Sequence, residues 1–220
     1  MAKKTRIGVL ASGRGSNLQA IIDAVEAGRI KAELAVVISD KKDAYALERA
    51  KKHGISAEFV EHKTGMKRED YDFAVLERLR EHGVELVLLA GYMKIIGLPL
   101  VEAFHNRMIN IHPALLPSFP GLHVQKKAVE HGVRFSGCTV HFVDSGMDTG
   151  PIIIQAVVPV LPEDDEDSLA ARILKQEHRI YPEAVRLFCD GRLKVEGRRV
   201  IVRGRKVKKD ISMINPPVTG

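Results

Sequence analysis

Arg6-Ile-Gly-Val-Leu-Ala11 runs into Ser12-Gly13-Arg14-Gly15-Ser16-Asn17, and then into a pattern that sets Leu18, Ile21, Ile22 and Val25 on one side. This stretch decides the fold class. Its first part is an apolar run of strand length, and the periodicity after the glycines is that of a helix. The glycines permit a tight turn, Ser16 or Asn17 can cap the helix, and the first-turn amides point out of its N-terminus. Such a terminus accepts an anion, most naturally a phosphate. No Lys follows at the position a Walker A loop needs. The third glycine of G-x-G-x-x-G is also missing, since Ser16, Asn17 and Leu18 follow Gly13-Arg14-Gly15. A phosphomonoester on a small substrate suits the loop better than a dinucleotide. The competing reading is a plain strand-to-helix turn.

Working outward, the same alternation repeats. Leu34–Ile38 reads as a strand, followed by a helix that Asp43 can cap and that carries Ala46, Leu47 and Ala50 as its apolar stripe. A short strand over 57–60 and a charged segment from Glu61 to Glu69 lead to a helix expected to turn Phe73, Leu76 and Leu79 inward. Val84–Ala90 is the most hydrophobic run and so a central strand. A short helix near 99–104 returns the chain to a strand over Arg107–Ile111. Beyond it, Pro113, Pro117 and Pro120 punctuate a rigid loop closed by Gly121-Leu122-His123, and Val124–Glu130 is a short helix. Cys138–Val143 and Ile152–Val158 follow as an antiparallel extension, and the closing helices are expected over 168–178 and 182–188. The predicted fold is α/β: a Rossmann-like, mostly parallel sheet with helices on both faces, extended by antiparallel strands in its C-terminal half.

The chemistry gathers where these strands end. Asn110 and His112 stand at the end of a buried strand, and Asp148 lies in the Gly- and Asp-rich loop Asp144–Pro151. In open α/β sheets ligands bind beyond the carboxyl ends of the strands. An amide, an imidazole and a carboxylate meeting there suit attack of a neutral amine on a carbonyl carbon. The amide donates to the developing oxyanion, the imidazole donates or moves a proton, and the carboxylate holds and polarises the imidazole. Taken singly, each is also an ordinary turn residue. His105, His123 and His141 show no zinc-site spacing around His112, so no metal is expected. Ser12 and Ser118 stand in no nucleophile-elbow motif.

The chain of 220 residues suffices for one substantial α/β domain, and no linker or internal repeat stands out. Cys138 and Cys189 form no C-x-x-C and read as free thiols in a reducing compartment. The basic N-terminus enters a strand rather than a leader, and no run approaches membrane-spanning length, so a cytoplasmic protein without membrane association is expected. The net charge of +6 is unevenly spread: Gly191–Gly220 holds nine Lys or Arg against Glu196 and Asp210, a net +7, leaving −1 for the rest. That segment reads as a hairpin (192–195 and 199–203) with a frayed tail beyond Lys208, its charges discouraging edge pairing. With no Trp in the chain and no aromatic among those charges, nucleic-acid binding is not expected. The predicted division is residues 1–190 as one α/β domain, with a phosphate-binding half over 1–110 and a catalytic half over 111–190, and 191–220 as a basic extension.

Several segments together resemble the folate-dependent phosphoribosylglycinamide formyltransferases, from about Arg6 to Val195: the glycine loop through Asn17, Leu-Ala-Gly91-Tyr-Met-Lys94, Asn110-Ile-His112-Pro through Gly121, Val-His141-Phe-Val, Asp148-Thr-Gly-Pro and Gln176-Glu177-His178-Arg-Ile-Tyr-Pro182. The resemblance implies a catalytic trio of Asn110, His112 and Asp148. It implies that Gly15, Ser16 and Asn17 hold the substrate phosphate and that Glu177 contacts the ribosyl-glycinamide part. Arg68, Met93, Lys94, Ile95, Ile96, Asn110, Val143, Asp144, Ser145, Gly146 and Met147 would line the folate side. His141 would stand behind the trio or simply be packed. A cis Leu116-Pro117 bond is also implied. The implied reaction is direct formyl transfer from 10-formyltetrahydrofolate, a co-substrate, to the amine of glycinamide ribonucleotide in purine synthesis, with no metal, by a monomer or homodimer.

Two positions depart from the family's pattern. Leu174 stands three residues before Glu177, where relatives carry Lys or Gln, and Lys94 replaces a more usual Arg, trading a planar fork for a point charge. Both bear on affinity rather than on the chemistry. The alternatives are a formyltetrahydrofolate hydrolase, transfer to a different amine, and a non-catalytic phosphate-binding module that leaves the trio without a role. Against the hydrolase stands its additional N-terminal domain, since here the first strand begins near Thr5.

Overall fold

The computed structural model describes residues 3–204 together with Met213 and Asn215. Five parallel strands come first: β1 (Thr5–Leu10), β2 (Ala32–Ser39), β3 (Ser56–Phe59), β4 (Leu86–Leu89) and β5 (Met108–His112). Between them run α1 (Ser16–Glu26), α2 (Tyr45–Lys52), α3 (Arg68–Glu81) and α4 (Leu98–Ala103). The chain continues through α5 (Val124–Glu130), β6 (Phe135–Phe142), β7 (Ile152–Pro159) and α6 (Glu166–Cys189) to a hairpin of β8 (Leu193–Glu196) and β9 (Arg199–Val202). Among the described residues nine strands form one sheet in the order β3-β2-β1-β4-β5-β6-β7-β9-β8. β6 and β7 are antiparallel additions to β5, and β9 runs parallel to β7. The basic tail expected beyond Lys208 lies outside the described residues, apart from Met213 and Asn215.

Alternation along each buried strand builds two cores. Ile7, Val9 and Ala11 pack with Leu18, Ile21 and Ile22 of α1, with α2 and with α6. Leu10, Ile38, Val87 and Leu89 pack on the other face with Tyr71, Val75, Leu76 and Leu79 of α3 and with Leu100 of α4. From β1 the chain winds outward through β2 and β3, then crosses to β4 and β5, so the strand order reverses between β1 and β4. The loops leaving these two strands are tied together: Ser12 N donates to Gly91 O at 3.0 Å and Met93 N to Ser12 Oγ at 2.8 Å.

Local expectations failed in three places. Residues 166–189 form a single helix, α6, with Pro182 inside it rather than at a break. Pro182 removes one N–H and costs roughly 3 kcal/mol. The buried stripe Leu169, Ile173, Tyr181, Ala184 and Val185 runs across that point, and burying such side chains recovers ~1.5–3 kcal/mol each. Phe73 is 56% exposed; the inward face of α3 is Tyr71, Val75, Leu76 and Leu79. Ser16, Asn17 and Asp43 cap nothing. Gly15 holds the N-cap position of α1 with φ 67°, and Ala44 that of α2. A Cβ on Gly15 would stand 2.9 Å from Ala46 Cβ, so both the turn and the helix contact require glycine.

Candidate active site

β5 brings the polar residues together by its register. Alternate residues of a strand share a face, so Asn110 and His112 point the same way while Ile109 and Ile111 enter the α6-side core. Across the antiparallel pair Asn110 faces His141 and His112 faces Thr139. Asn110 Nδ2 accordingly lies 3.2 Å from His141 Nε2, while His141 Nδ1 lies 2.8 Å from the carbonyl oxygen of Phe142. A carbonyl oxygen only accepts, so Nδ1 of His141 carries the proton and Nε2 accepts from the Asn110 amide. That demands a neutral ring. Burial, the largest influence on His141, lowers its pKa and keeps it neutral against the opposing effects of the Phe142 contact and of Asp148. One Asn110 N–H is thus spoken for, and Asn110 itself lines a cavity.

His112 is 5% exposed, and its Nε2 donates to the carbonyl oxygen of Phe119 at 2.9 Å. The same reasoning puts a proton on Nε2, so Nδ1 is the atom left to exchange one. Nδ1 faces Asp148 Oδ2 at 3.5 Å, and Oδ2 also accepts from Gly121 N at 2.9 Å. Oδ1 of Asp148 lies 3.8 Å from His141 Nε2. The loop between β5 and α5 thus holds both catalytic candidates through its backbone, Phe119 O on His112 and Gly121 N on Asp148. A buried network anchors the loop. Thr139 Oγ1 donates to Ala114 O at 2.7 Å and accepts from Leu116 N at 3.1 Å, and Gln155 Nε2 donates to Leu116 O at 2.9 Å. The Leu116-Pro117 peptide within this loop is cis.

These groups open on a cavity of about 700 Å³. Among its lining residues Asn17 Nδ2 donates to Glu177 Oε2 at 2.7 Å, joining the first turn of α1 to α6. Both side chains are buried, and Asn17 Oδ1 has no partner among the described residues. Burial raises the Glu177 pKa, with the Asn17 hydrogen bond opposing it. Gly15 and Ser16 do not line the cavity; they adjoin Asn17 in the turn into α1. The cavity is lined also by Arg68, Met93, Lys94, Ile95 and Ile96, by Val143, Asp144, Ser145, Gly146 and Met147, and by His141, Asn110, His112 and Asp148. Met93, Ile95 and Met147 leave much apolar surface exposed there. Lys94 turns toward Asp40 at 4.0 Å and over the Tyr71 ring at 5.3 Å.

Sequence reasoning places Tyr92 in a candidate site loop over 91–96 but does not single out Leu122, His123 and Gln125 as site residues; all four line the cavity. Tyr92 donates to Tyr71 Oη at 3.0 Å, and burial pushes the Tyr71 hydroxyl up to about 12. The available signal was the Gly121-Leu122-His123 closure, where His123 adopts φ 55°. Phe119 and Gly121 act through backbone atoms, which carry no side-chain signature. Among the described residues no cluster of three or more His, Cys, Asp or Glu is placed to hold a metal ion, and no helix is long and apolar enough to cross a membrane.

Comparison with known proteins follows the same lines. Residues 5–185 match the formyl transferase family. The chain is 43% identical over 199 residues to the phosphoribosylglycinamide formyltransferase of Escherichia coli K12, covering 90% of this chain and 94% of that protein. It is 49% identical over 210 residues to the trifunctional purine biosynthetic protein adenosine-3 of Drosophila pseudoobscura, covering 94% of this chain but only 15% of that much longer relative. The crystal structure of glycinamide ribonucleotide transformylase 1 from Symbiobacterium toebii superposes with a TM-score of 0.90 at 55% identity, over 92% of this chain and 95% of that one.

Proposed function

The chain belongs to the formyl transferase family, and we propose that it transfers the formyl group of 10-formyltetrahydrofolate to the amine of N1-(5-phospho-D-ribosyl)glycinamide, a step of de novo purine synthesis. The observation that carries this reading is that Asn110, His112 and Asp148 line one cavity together with Asn17 and Glu177 and with residues 93–96 and 143–147. The folate derivative is consumed, so it is a co-substrate rather than a resident group. Its ring system and tail match the lining formed by residues 93–96 and 143–147, where Met93, Ile95 and Met147 offer apolar surface and Arg68 a cation. The ribonucleotide matches the lining formed by Asn17 and Glu177. Gly15, Ser16 and Asn17 hold its phosphate at the start of α1, and Glu177 presents a carboxylate oxygen to its hydroxyl and amide groups.

Transfer then needs one bond made, one broken and one proton moved. The neutral amine nitrogen bonds to the formyl carbon, and the carbonyl electron pair moves onto oxygen. The Asn110 amide donates to that oxyanion, one such donor being worth about 3–4 kcal/mol in the transition state, while His112, its Nε2–H held by Phe119, acts on the proton from Nδ1. Asp148 holds His112 from the Nδ1 side. As the intermediate collapses, the bond from carbon to N10 breaks, its pair stays on N10, and the proton lost by the amine passes to N10 through the His112–Asp148 pair. The 3.5 Å separation of that pair is longer than a hydrogen bond, leaving room for it to tighten around substrate.

The test is tetrahydrofolate release from 10-formyltetrahydrofolate with and without glycinamide ribonucleotide, beside the Asp148→Asn variant. Turnover that needs the ribonucleotide, and that falls ~10²–10⁴-fold in the variant, is expected. Equal turnover without an acceptor would make the protein a hydrolase, and no turnover would leave only ligand binding.

A further inference from the structure

We propose that the C-terminal hairpin is part of the catalytic scaffold and that Arg198, in its turn, is a positioning residue for Asp148; this rests on the transferase reading above. β9 runs parallel to β7 with Arg199 opposite Ile152, the first residue after the Asp144–Pro151 loop. That pairing sets the hairpin turn alongside the loop, and Arg198 Nη2 donates to the carbonyl oxygen of Thr149 at 3.0 Å. Two other hairpin cations serve the hairpin itself: Arg192 Nε donates to Arg203 O at 2.9 Å, and Lys194 pairs with Glu196 at 2.6 Å. Arg198 is turned outward, onto the residue next to Asp148.

That neighbouring residue matters because Asp148 sits in the left-handed region, φ 55°, which a non-glycine residue keeps only when its surroundings impose it. Part of the constraint is internal to the loop. Thr149 Oγ1 donates to Asp144 Oδ1 at 2.6 Å and Gly146 N to the same oxygen at 3.1 Å. Gly150 passes so close to the Phe142 carbonyl oxygen that a Cβ would collide with it. Arg198 adds a hold from outside, resisting rotation of the peptide between Thr149 and Gly150 that would let Asp148 swing from His112. A guanidinium on a carbonyl is a charge-assisted contact, stronger than a neutral one of the same length.

The experiment compares Arg198→Gln and Arg198→Lys with the unchanged full-length enzyme, measuring kcat, both KM values and thermal melting. In Arg198→Gln, kcat falls roughly five-fold, the size of one exposed charge-assisted hydrogen bond, while the KM for the ribonucleotide is unchanged. Arg198→Lys, whose ammonium can still reach the carbonyl, restores most of the loss. An unchanged kcat in Arg198→Gln overturns the proposal, as does a loss that lysine fails to restore or one tracking a lower melting temperature in both variants. Should the unchanged enzyme itself show no ribonucleotide-dependent turnover, the transferase reading fails, an outcome distinct from any of these.

Discussion

Asn110 and His141 face each other across the β5–β6 pair, with Asn110 Nδ2 3.2 Å from an imidazole nitrogen whose ring is held neutral by burial. The amide that stabilises the oxyanion in the proposed mechanism is thereby aimed by a second strand. Removing the acceptor frees the amide to rotate. His141→Leu should lower kcat roughly tenfold while leaving both KM values within about twofold, because the lost orientation matters most when the oxyanion forms. Steady-state kinetics with each substrate varied in turn checks this, and a matching rise in KM would count against it.

The same burial has a consequence for stability. His141 and His178 both have pKa values lowered below the ordinary 6.5, burial being the larger cause in each. The unfolded chain therefore binds protons more readily than the folded one below pH 6.5. Stability is full above that value and is lost as pH falls from it through the folded pKa values. Urea unfolding between pH 8 and pH 5 should show this loss, and His141→Leu should reduce its slope below about pH 6.5.

Glu177 shifts in the opposite sense. Its pKa is raised above 4.5, so the folded state binds the proton more readily and loses stability as pH rises through the raised value. At pH 8 the buried carboxylate bears the whole penalty. Glu177→Gln keeps an oxygen for the Asn17 amide and removes the charge. It should melt about 2–4 °C higher at pH 8, the shift that ~1 kcal/mol makes in a chain of this size. Near pH 4.5, where the native carboxyl is protonated, that advantage should vanish, while at pH 8 the KM for the ribonucleotide rises roughly tenfold because a charged acceptor is gone. Scanning calorimetry at the two pH values, paired with kinetics, separates the effects.

Thr139 is fully buried and anchors the loop that holds both His112 and Asp148 through Phe119 and Gly121. Thr139→Val keeps the shape but strands Leu116 N and the Ala114 carbonyl oxygen. It should cost ~1–3 kcal/mol in urea unfolding, and kcat should fall with it. Gln155→Leu should act in the same direction through Leu116 O, with no direct contact to substrate involved.

Sequence alone determined the architecture, because its determinants are local. Apolar runs with helical stripes between them dictate a covered parallel sheet, and the changed pattern after Asn110 dictates the antiparallel extension. Asn110, His112 and Asp148 were legible because polar residues at strand ends and in a Gly- and Asp-rich loop have no place in a core. Where local rules misled, longer-range packing overrode them, as at Pro182, whose flanks are bound by one buried stripe, and at Phe73, where the inward face belongs to Tyr71 and Val75. Only the tertiary structure decided which nitrogen of His112 is tethered, that His141 aims Asn110, that Asn17 spends its amide on Glu177 rather than on a helix cap, and that Arg198 reaches Thr149. These contacts join residues far apart in the chain and often use backbone oxygens common to every residue type. Strand register and loop closure create them, and no local pattern in the sequence encodes either.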